Sequence, residues 1–245
     1  MLSDLFENIR RSIFPINVPL VVEPILMKYN TYYRNLSEEN KKKFKRRLMI
    51  ASAILDFSPN NLPAVTTEMK VLITSALIQI TFGLKNFTIR RIRKIIIVSS
   101  NYNFMHYKNL LGHVDYKERV IVLSWPGVKE GYHIPDDAMN VALHEMAHAL
   151  HEENRFRIAA NAFFKKSSME AWELEGVKKL LTIRQGRNKF MKDYGGINML
   201  EMFSVCIETF FEQGAEFEKE LPRLYYAVAE LLNQDPLKGE APLLS

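Results

Sequence analysis

An apolar, alanine-rich stretch from Val141 to Leu150 contains two histidines and a glutamate. They are His144, Glu145 and His148, so the histidines stand four residues apart. On an α-helix, a step of four residues brings side chains back to one face, so both imidazole rings can bind one metal ion while Glu145 reaches a water molecule on it. The pattern H-E-x-x-H is typical of zinc hydrolases. The alternative is a helix with two incidental histidines.

The composition fits one globular domain. With 245 residues, the chain can bury a sizeable core, and 47% apolar and 25% charged residues are ordinary values for a globular protein. The net charge is +5 and the basic residues are scattered, so direct nucleic-acid binding is not expected. We predict one domain over residues 1–245, with a mostly helical N-terminal part (1–90) and a part that carries the motif (91–240).

Targeting and membrane signals are not evident in the sequence. The single cysteine, Cys206, cannot form a disulfide within the chain and gives no indication of an oxidising compartment. Residues 1–19 lack the continuous apolar stretch of a signal peptide. The longest apolar run, residues 71–84, is too short to cross a bilayer and predicts a buried helix. We therefore expect a cytoplasmic protein without a membrane span.

The N-terminal part predicts helices separated by proline-containing breaks. Residues 1–35 indicate an arm or short helix packed on the body, or else a poorly ordered terminus. Ser37 is a suitable N-cap for the next helix, whose basic cluster at residues 41–47 would form a solvated face or, alternatively, a patch for nucleic acid or an acidic membrane. A break at residues 58–63 ends this helix. Another helix begins at Thr66 or the following residue.

The middle of the chain predicts a small sheet. Residues 92–99 and 120–125 are short, apolar and β-branched, which indicates strands, while residues 101–116 are rich in turn formers. Residues 125–131 read as a loop, and the aspartates of residues 134–137 offer an N-cap to the motif helix. An extended peptide can pair with an exposed strand beside a metal site, and we expect residues 120–125 to be that strand.

The chain after the motif predicts helices almost to its end. The fold class that follows is α+β, mostly helical, with a small β-sheet before the motif helix. The predicted helices cover residues 161–166, 168–182, 198–213 and 222–233.

Two histidines do not complete a catalytic zinc site, which typically has three protein ligands and leaves one position for water. Glu201 and Glu208 lie seven residues apart among apolar neighbours, so both project from one face of a predicted helix. A buried carboxylate needs a partner such as a metal or a histidine. Asn198 leaves an alternative open, because it would cap this helix and Glu201 stands at the position of a capping-box glutamate.

The spacing of these residues resembles a known family. His144-Glu-x-x-His148 is followed by Tyr194, by Asn198 and by Glu201-Met-Phe, with the tyrosine seven residues before the glutamate. This arrangement is similar to that of the Mlc titration factor A family of bacterial zinc peptidases, and to the catalytic domain of anthrax lethal factor. The similarity covers roughly residues 85–240.

This resemblance implies a zincin-like metallopeptidase with Zn²⁺ as its cofactor. Glu201 would be the third zinc ligand beside the two histidines, and Tyr194 would stand over the metal. Glu208 would orient a ligand histidine through its free ring N–H, and Asn198 would cap the helix. The segment before Tyr194 is shorter than in the best-known family member, so the resemblance carries over no substrate contacts.

The chemistry implied is hydrolysis of peptide bonds in a peptide or protein substrate. Glu145 would take a proton from the zinc-activated water and deliver it to the leaving amine. Tyr194 would donate a hydrogen bond to the developing oxyanion. The adjacent Gly195 and Gly196 would let this segment move, or would simply form a loop. The sequence leaves open whether cleavage is internal or that of an aminopeptidase, and what the oligomeric state is.

Two other functions also stay open. The titration factor family is named for sequestering a sugar-responsive transcriptional repressor, so the chain could be a regulatory binding protein with slow or conditional peptidase activity. Residues 1–60 would then carry the partner surface. A purely structural metal site is the third hypothesis, and it would need a fourth protein ligand.

Overall fold

The structure is a computed structural model that describes residues 17–105, 107–158 and 161–239. It is mostly helical, with a small sheet whose strands all precede the motif helix, which confirms the predicted α+β class. Residues 1–16 of the predicted N-terminal arm lie outside the described ranges. The helices are α1 (Val22–Tyr29), α2 (Thr31–Arg34), α3 (Glu38–Ser52), α4 (Thr67–Thr81), α5 (Trp125–His133), α6 (Val141–Arg155), α7 (Lys166–Arg184), α8 (Met199–Glu212), α9 (Gly214–Glu220) and α10 (Pro222–Leu232). The strands are β1 (Asp56–Asn60), β2 (Lys94–Val98), β3 (Tyr102–Phe104), β4 (Tyr107–Leu110), β5 (Gly112–Asp115) and β6 (Val120–Ser124).

The N-terminal helices begin where local capping predicts. The Ser37 side chain accepts a hydrogen bond from the backbone N–H of Asn40 at 3.3 Å, and the Thr66 hydroxyl accepts one from Met69 at 3.2 Å. The helix that Thr66 opens, α4, is buried along nearly its whole length because α1, α3 and α6 pack around it. This accounts for the long apolar run. Within the described residues, no helix is both long and apolar enough to cross a lipid bilayer.

Some residues of the basic cluster at residues 41–47 bind other helices, so the cluster is not simply a solvent-exposed face of α3. The Arg47 guanidinium donates to the backbone carbonyls of Thr81, Phe82 and Leu84 at 3.2, 2.9 and 3.0 Å. These carbonyls lie at the C-terminal end of α4, where helix carbonyls lack partners within the helix. Lys45 is bonded to Glu23 of α1. The prediction of a simple solvated face was therefore too coarse, because part of this charge holds the N-terminal helices together.

The sheet has the strand order β1-β2-β6-β5. The strands β1, β2 and β6 are parallel, and β5 pairs antiparallel with β6 at the edge, with Gly112 opposite Leu123 and Asp115 opposite Val120. The expectation that residues 120–125 form the exposed edge strand is wrong, because β6 lies between β2 and β5. The predicted break at residues 58–63 does separate two helices, although it overlaps a strand that the sequence did not predict. Pro59 lies in β1, where an edge strand tolerates proline.

Residues 125–131 form a helix, not the predicted loop. Ser124 caps α5 by accepting from the backbone N–H of Gly127 at 3.3 Å, and Pro126 occupies the first turn, where it costs no hydrogen bond. A Cβ on Gly131 would lie 2.8 Å from the Cα of Asn140, so this glycine lets α5 approach the start of α6.

The motif helix α6 is capped by Asn140 instead of the predicted aspartates. The Asn140 side chain accepts from the backbone N–H of Leu143 at 3.2 Å, whereas Asp137 accepts from Met139 at 2.8 Å and closes a turn. Behind α6, residues 162–165 are not helical, so the predicted helix over 161–166 is wrong for most of its length. The Asn154 side chain there accepts from the backbone N–H of Phe163 at 2.8 Å, which holds the chain outside a helix until α7 begins.

The C-terminal helices form the layer that faces the motif. Helix α8 packs along α6, and α10 packs along α7. A single hydrophobic cluster contains buried residues from α1, α3, α4, α6, α8 and α10. This shared core supports the proposal of one domain, although the predicted division into residues 1–90 and 91–240 stays a prediction.

Candidate metal centre

Two helices bring three potential metal ligands together. Helix α6 presents His144 and His148, and α8 presents Glu201. The Nε2 atoms of the two histidines lie 3.1 Å apart. The Oε2 atom of Glu201 lies 3.2 Å from the Nε2 of His144 and 3.3 Å from that of His148. Three donor atoms from distant parts of the sequence therefore converge on one point.

The spacing of these atoms fits a metal ion. A tetrahedral site with bonds of about 2.0–2.2 Å to nitrogen and oxygen requires ligand atoms roughly 3.3–3.6 Å apart. The measured separations of 3.1 to 3.3 Å are close to that spacing. The donor set has a suitable chemistry as well, because lone pairs of two imidazoles and a carboxylate repel one another unless a cation or a proton lies between them.

Glu208 contacts the other nitrogen of the His144 ring. Its Oε2 lies 3.0 Å from the Nδ1 of His144, and its Oε1 accepts from the backbone N–H of Asn140 at 2.8 Å. A ring that donates through Nδ1 exposes the lone pair of Nε2 toward His148 and Glu201. Glu208 thus links the N-cap of α6 to the orientation of His144.

Electrostatics at this cluster favour positive charge. Burial alone would lower the pKa of His144, but the negative charges and hydrogen bonds of Glu208 and Glu201 outweigh it and raise the pKa to about 10. Burial likewise works against ionisation of Glu201, yet hydrogen bonds from His144 and His148 lower its pKa to about 2. The carboxylates are therefore arranged to hold a cation next to the two imidazoles.

Glu145 is buried beside the cluster but does not join it. Its Oε2 has no hydrogen-bond partner among the described residues. Burial raises the pKa of its carboxyl, an effect only partly offset by the neighbouring His144 and His148. Its Cγ packs against β5, where a Cβ on Gly112 would lie only 2.9 Å away. This arrangement leaves one carboxylate oxygen available for a further group.

Tyr194 lies on a short 3-10 helix, Asp193–Gly196, directly before α8. Its ring centroid is 5.9 Å from that of His144, and the side chain is 48% exposed, so it borders the cluster on the solvent side. Burial together with the charges of Glu201 and Glu145 raises the pKa of Tyr194 to about 12. The phenol therefore keeps its proton at neutral pH and can donate it in a hydrogen bond.

Asn198 caps α8, as the sequence predicts. Its side chain accepts from the backbone N–H groups of Leu200 and Glu201, both at 2.9 Å. The Oε2 of Glu201 faces the two histidines, whereas a capping box would turn that side chain toward the backbone of Asn198.

Sequence reasoning missed several residues at this centre. Gly112 of β5 touches Glu145, and Lys192 reaches both the carbonyl of Ala138 and, at 3.9 Å, the Oε2 of Glu208. Arg184 binds the backbone beyond Tyr194. These contacts join segments far apart in the sequence, so no local pattern signals them.

The comparison with known families decides the class of this centre. The sequence matches the family model described as glucose-regulated metallo-peptidase M90 over residues 7–232. The chain belongs to the M90 metallopeptidase family. Such a family implies a bound metal, and His144, His148 and Glu201 form a group that could hold it.

Relatives of this M90 member support the resemblance to the titration factors. An uncharacterized protein of Synechocystis sp. is 20% identical over 222 residues, which cover 84% of this chain and 81% of that protein. Mlc titration factor A of Escherichia coli is 27% identical over 124 residues, which cover 48% of this chain and 46% of that protein. Mlc titration factor A of Shigella flexneri gives the same values. The chain therefore matches about half the length of the titration factors.

Proposed function

We propose that the protein is a zinc-dependent peptidase that hydrolyses peptide bonds. The observation that carries this proposal is the convergence of His144, His148 and Glu201 at 3.1 to 3.3 Å, beside a Glu145 carboxylate oxygen that has no hydrogen-bond partner among the described residues. The family assignment supports a metallopeptidase, and the donor set of two imidazoles and one carboxylate is typical of catalytic zinc.

His144, His148 and Glu201 would hold the zinc, and Glu208 would fix the ring of His144. When bound, zinc supplies Lewis-acid charge that acidifies a coordinated water and polarises the scissile carbonyl. Glu145 would accept the proton of the attacking water and pass it to the leaving amine. Burial raises the pKa of its carboxyl, which favours the proton transfers that a general base must make.

Tyr194 would donate a hydrogen bond to the oxyanion that develops on the substrate carbonyl. The substrate backbone would lie along β5, which pairs only with β6 among the described strands and so has a free edge beside Glu145. An extended peptide can add to such an edge through main-chain hydrogen bonds. Whether the enzyme cuts internally or from the amino terminus would depend on how far this edge is open.

The test is a cleavage assay with Glu145→Gln. The zinc-loaded protein and the variant are incubated with a peptide library, and the cut sites are mapped by mass spectrometry. We expect defined cut sites for the natural chain and a loss of about 10²–10⁴-fold in rate for Glu145→Gln, because the general base is removed. Glu118→Gln, an exposed glutamate in the turn after β5, is the matched control and should cut normally.

Equal cutting by the natural chain and Glu145→Gln would show that the activity does not use this centre. Absence of any cut by the zinc-loaded natural chain would overturn the peptidase proposal itself.

A second proposal is a regulatory binding protein that sequesters a transcriptional repressor. It is supported by the names of the Escherichia coli and Shigella flexneri relatives, which cover 48% of this chain. The basic cluster at residues 41–47 is a weaker candidate surface than the sequence suggested, because Arg47 and Lys45 are engaged inside the molecule. A Glu145→Gln variant that restores the cellular function of a deletion strain would favour this proposal over catalysis.

A further inference from the structure

The segment that carries Tyr194 is too short to be stable without contacts to the rest of the protein. The 3-10 helix Asp193–Gly196 is a single turn, and at its two ends the N–H of Gly195 donates to the carbonyl of Lys192 and the N–H of Ile197 donates to the carbonyl of Tyr194, both at 3.1 Å. Such short helices are marginal in water, and most of their stability comes from packing against the rest of the protein. The position of the exposed phenol is therefore set by what the segment contacts.

Gly196 brings this segment against α7, and Gly195 faces Met202 of α8. A Cβ on Gly196 would lie 2.6 Å from the Cγ2 of Ile183, and one on Gly195 would lie 3.5 Å from the Cε of Met202. Gly196 is thus required for close approach to α7. Both glycines are buried, which argues against their use as a free hinge.

Arg184, the last residue of α7, fastens the same segment by hydrogen bonds. Its Nε donates to the carbonyl of Gly196 at 2.7 Å, and its Nη2 donates to the carbonyl of Ile197 at 2.6 Å. A guanidinium presents its donors in a rigid planar fork, so two successive carbonyls fix both the distance and the direction of the chain. These carbonyls lie between Tyr194 and the N-cap of α8.

We propose that Arg184 is a positioning residue for the hydrolytic reaction, because its bonds to Gly196 and Ile197 hold Tyr194 beside His144. This inference rests on the proposed function. Arg184 touches neither the three proposed ligands nor Glu145 in the described contacts. Its loss should therefore misplace the phenol and leave the metal and the general base intact.

The expected effect is on turnover more than on binding. A misplacement of about 1 Å can lower a rate by up to 100-fold, so Arg184→Ala should lower kcat by about 10–100-fold with a smaller change in KM. Arg184→Lys should recover part of the rate, since one ammonium group supplies the charge without the fork. Arg187→Ala is the matched control, because that guanidinium contacts the neighbouring side chain of Gln185 and should leave the rate unchanged.

The decisive experiment is a double-mutant cycle on the zinc-loaded protein. Arg184→Ala is measured alone and in combination with Tyr194→Phe. If Arg184 acts through Tyr194, its 10–100-fold effect should shrink to about 1–2-fold once the hydroxyl is removed. The same fold loss in both backgrounds, or no loss in either, would overturn the proposal.

Hydrogen exchange gives a readout that does not depend on activity. Arg184→Ala should lose protection at the amides of Gly195 and Ile197, while its zinc content stays that of the natural chain. Unchanged protection at those amides would overturn the proposal even if the protein cleaves peptides. Conversely, a protein with no peptidase activity but with this local loss of protection would refute the proposed function and leave the anchoring role of Arg184 standing.

Discussion

One imidazole ring, that of His144, lies between two carboxylates of the same helix. Glu201 faces its Nε2 at 3.2 Å and Glu208 faces its Nδ1 at 3.0 Å. Glu201 and Glu208 are two helical turns apart, which is about 10 Å along the helix axis. Their side chains therefore approach the ring of His144 from opposite directions. The same ring can then bind a metal on one side and donate a hydrogen bond on the other.

Glu208→Gln tests the role of the second carboxylate. The change removes the negative charge that favours a cation at His144 and weakens the bond that orients the ring. We expect metal affinity to fall by about 10–100-fold, as is typical when a group behind a ligand histidine is altered. Competition with a chromophoric chelator measures this directly.

The matched variant is Glu173→Gln, an exposed glutamate on α7. It should bind metal as the natural chain does. An unchanged affinity in Glu208→Gln would mean that Glu208 does not support the centre.

At the scale of elements, the centre is built where α6, α8 and the edge strand β5 meet. Helix α6 packs on both of the others. The contact with β5 depends on Gly112, because a Cβ there would lie 2.7 Å from the Cγ2 of Val141 and 2.9 Å from the Cγ of Glu145. The strand can therefore approach Glu145, the proposed general base, only where it has no side chain.

Gly112→Ala should displace Glu145 without removing the metal. We expect a lower kcat with near-normal zinc content, since the clash involves the glutamate and Val141 but none of the three proposed ligands. Steady-state kinetics and metal analysis of the same preparation measure both quantities. Gly176→Ala is a suitable control, because its new methyl would meet the flexible Cε of Met199 at 3.0 Å. Normal turnover in Gly112→Ala would show that β5 does not constrain Glu145.

At the scale of the whole molecule, the features that sequence could predict are the local ones. Ser37, Thr66 and Asn198 are helix caps in the structure because a cap needs only its own backbone neighbours. The buried helix α4 was predicted because a long apolar run can only be buried. The pair His144 and His148 shares a face for the same local reason.

The features that sequence missed depend on tertiary contacts. Residues 125–131 were expected to form a loop, whereas they form α5, in which Gly127 and Gly131 allow close packing against neighbouring elements. The edge strand is β5 and not the predicted β6. The sequence of one strand does not determine which strands lie on either side of it. For the candidate site, the helix pattern alone left Glu201 open between a ligand and a capping residue, and only the approach of α8 to α6 places its carboxylate at the histidines.

Helices α6 and α8 are proposed to hold one metal ion together, through His144, His148 and Glu201. The most direct measurement is the zinc content of purified Glu201→Gln and Glu145→Gln. Both variants replace a glutamate by glutamine, but only Glu201 is a proposed metal ligand. We predict one zinc per chain in Glu145→Gln and a loss of most of the zinc in Glu201→Gln after equal dialysis. Full zinc retention in Glu201→Gln would contradict the claim.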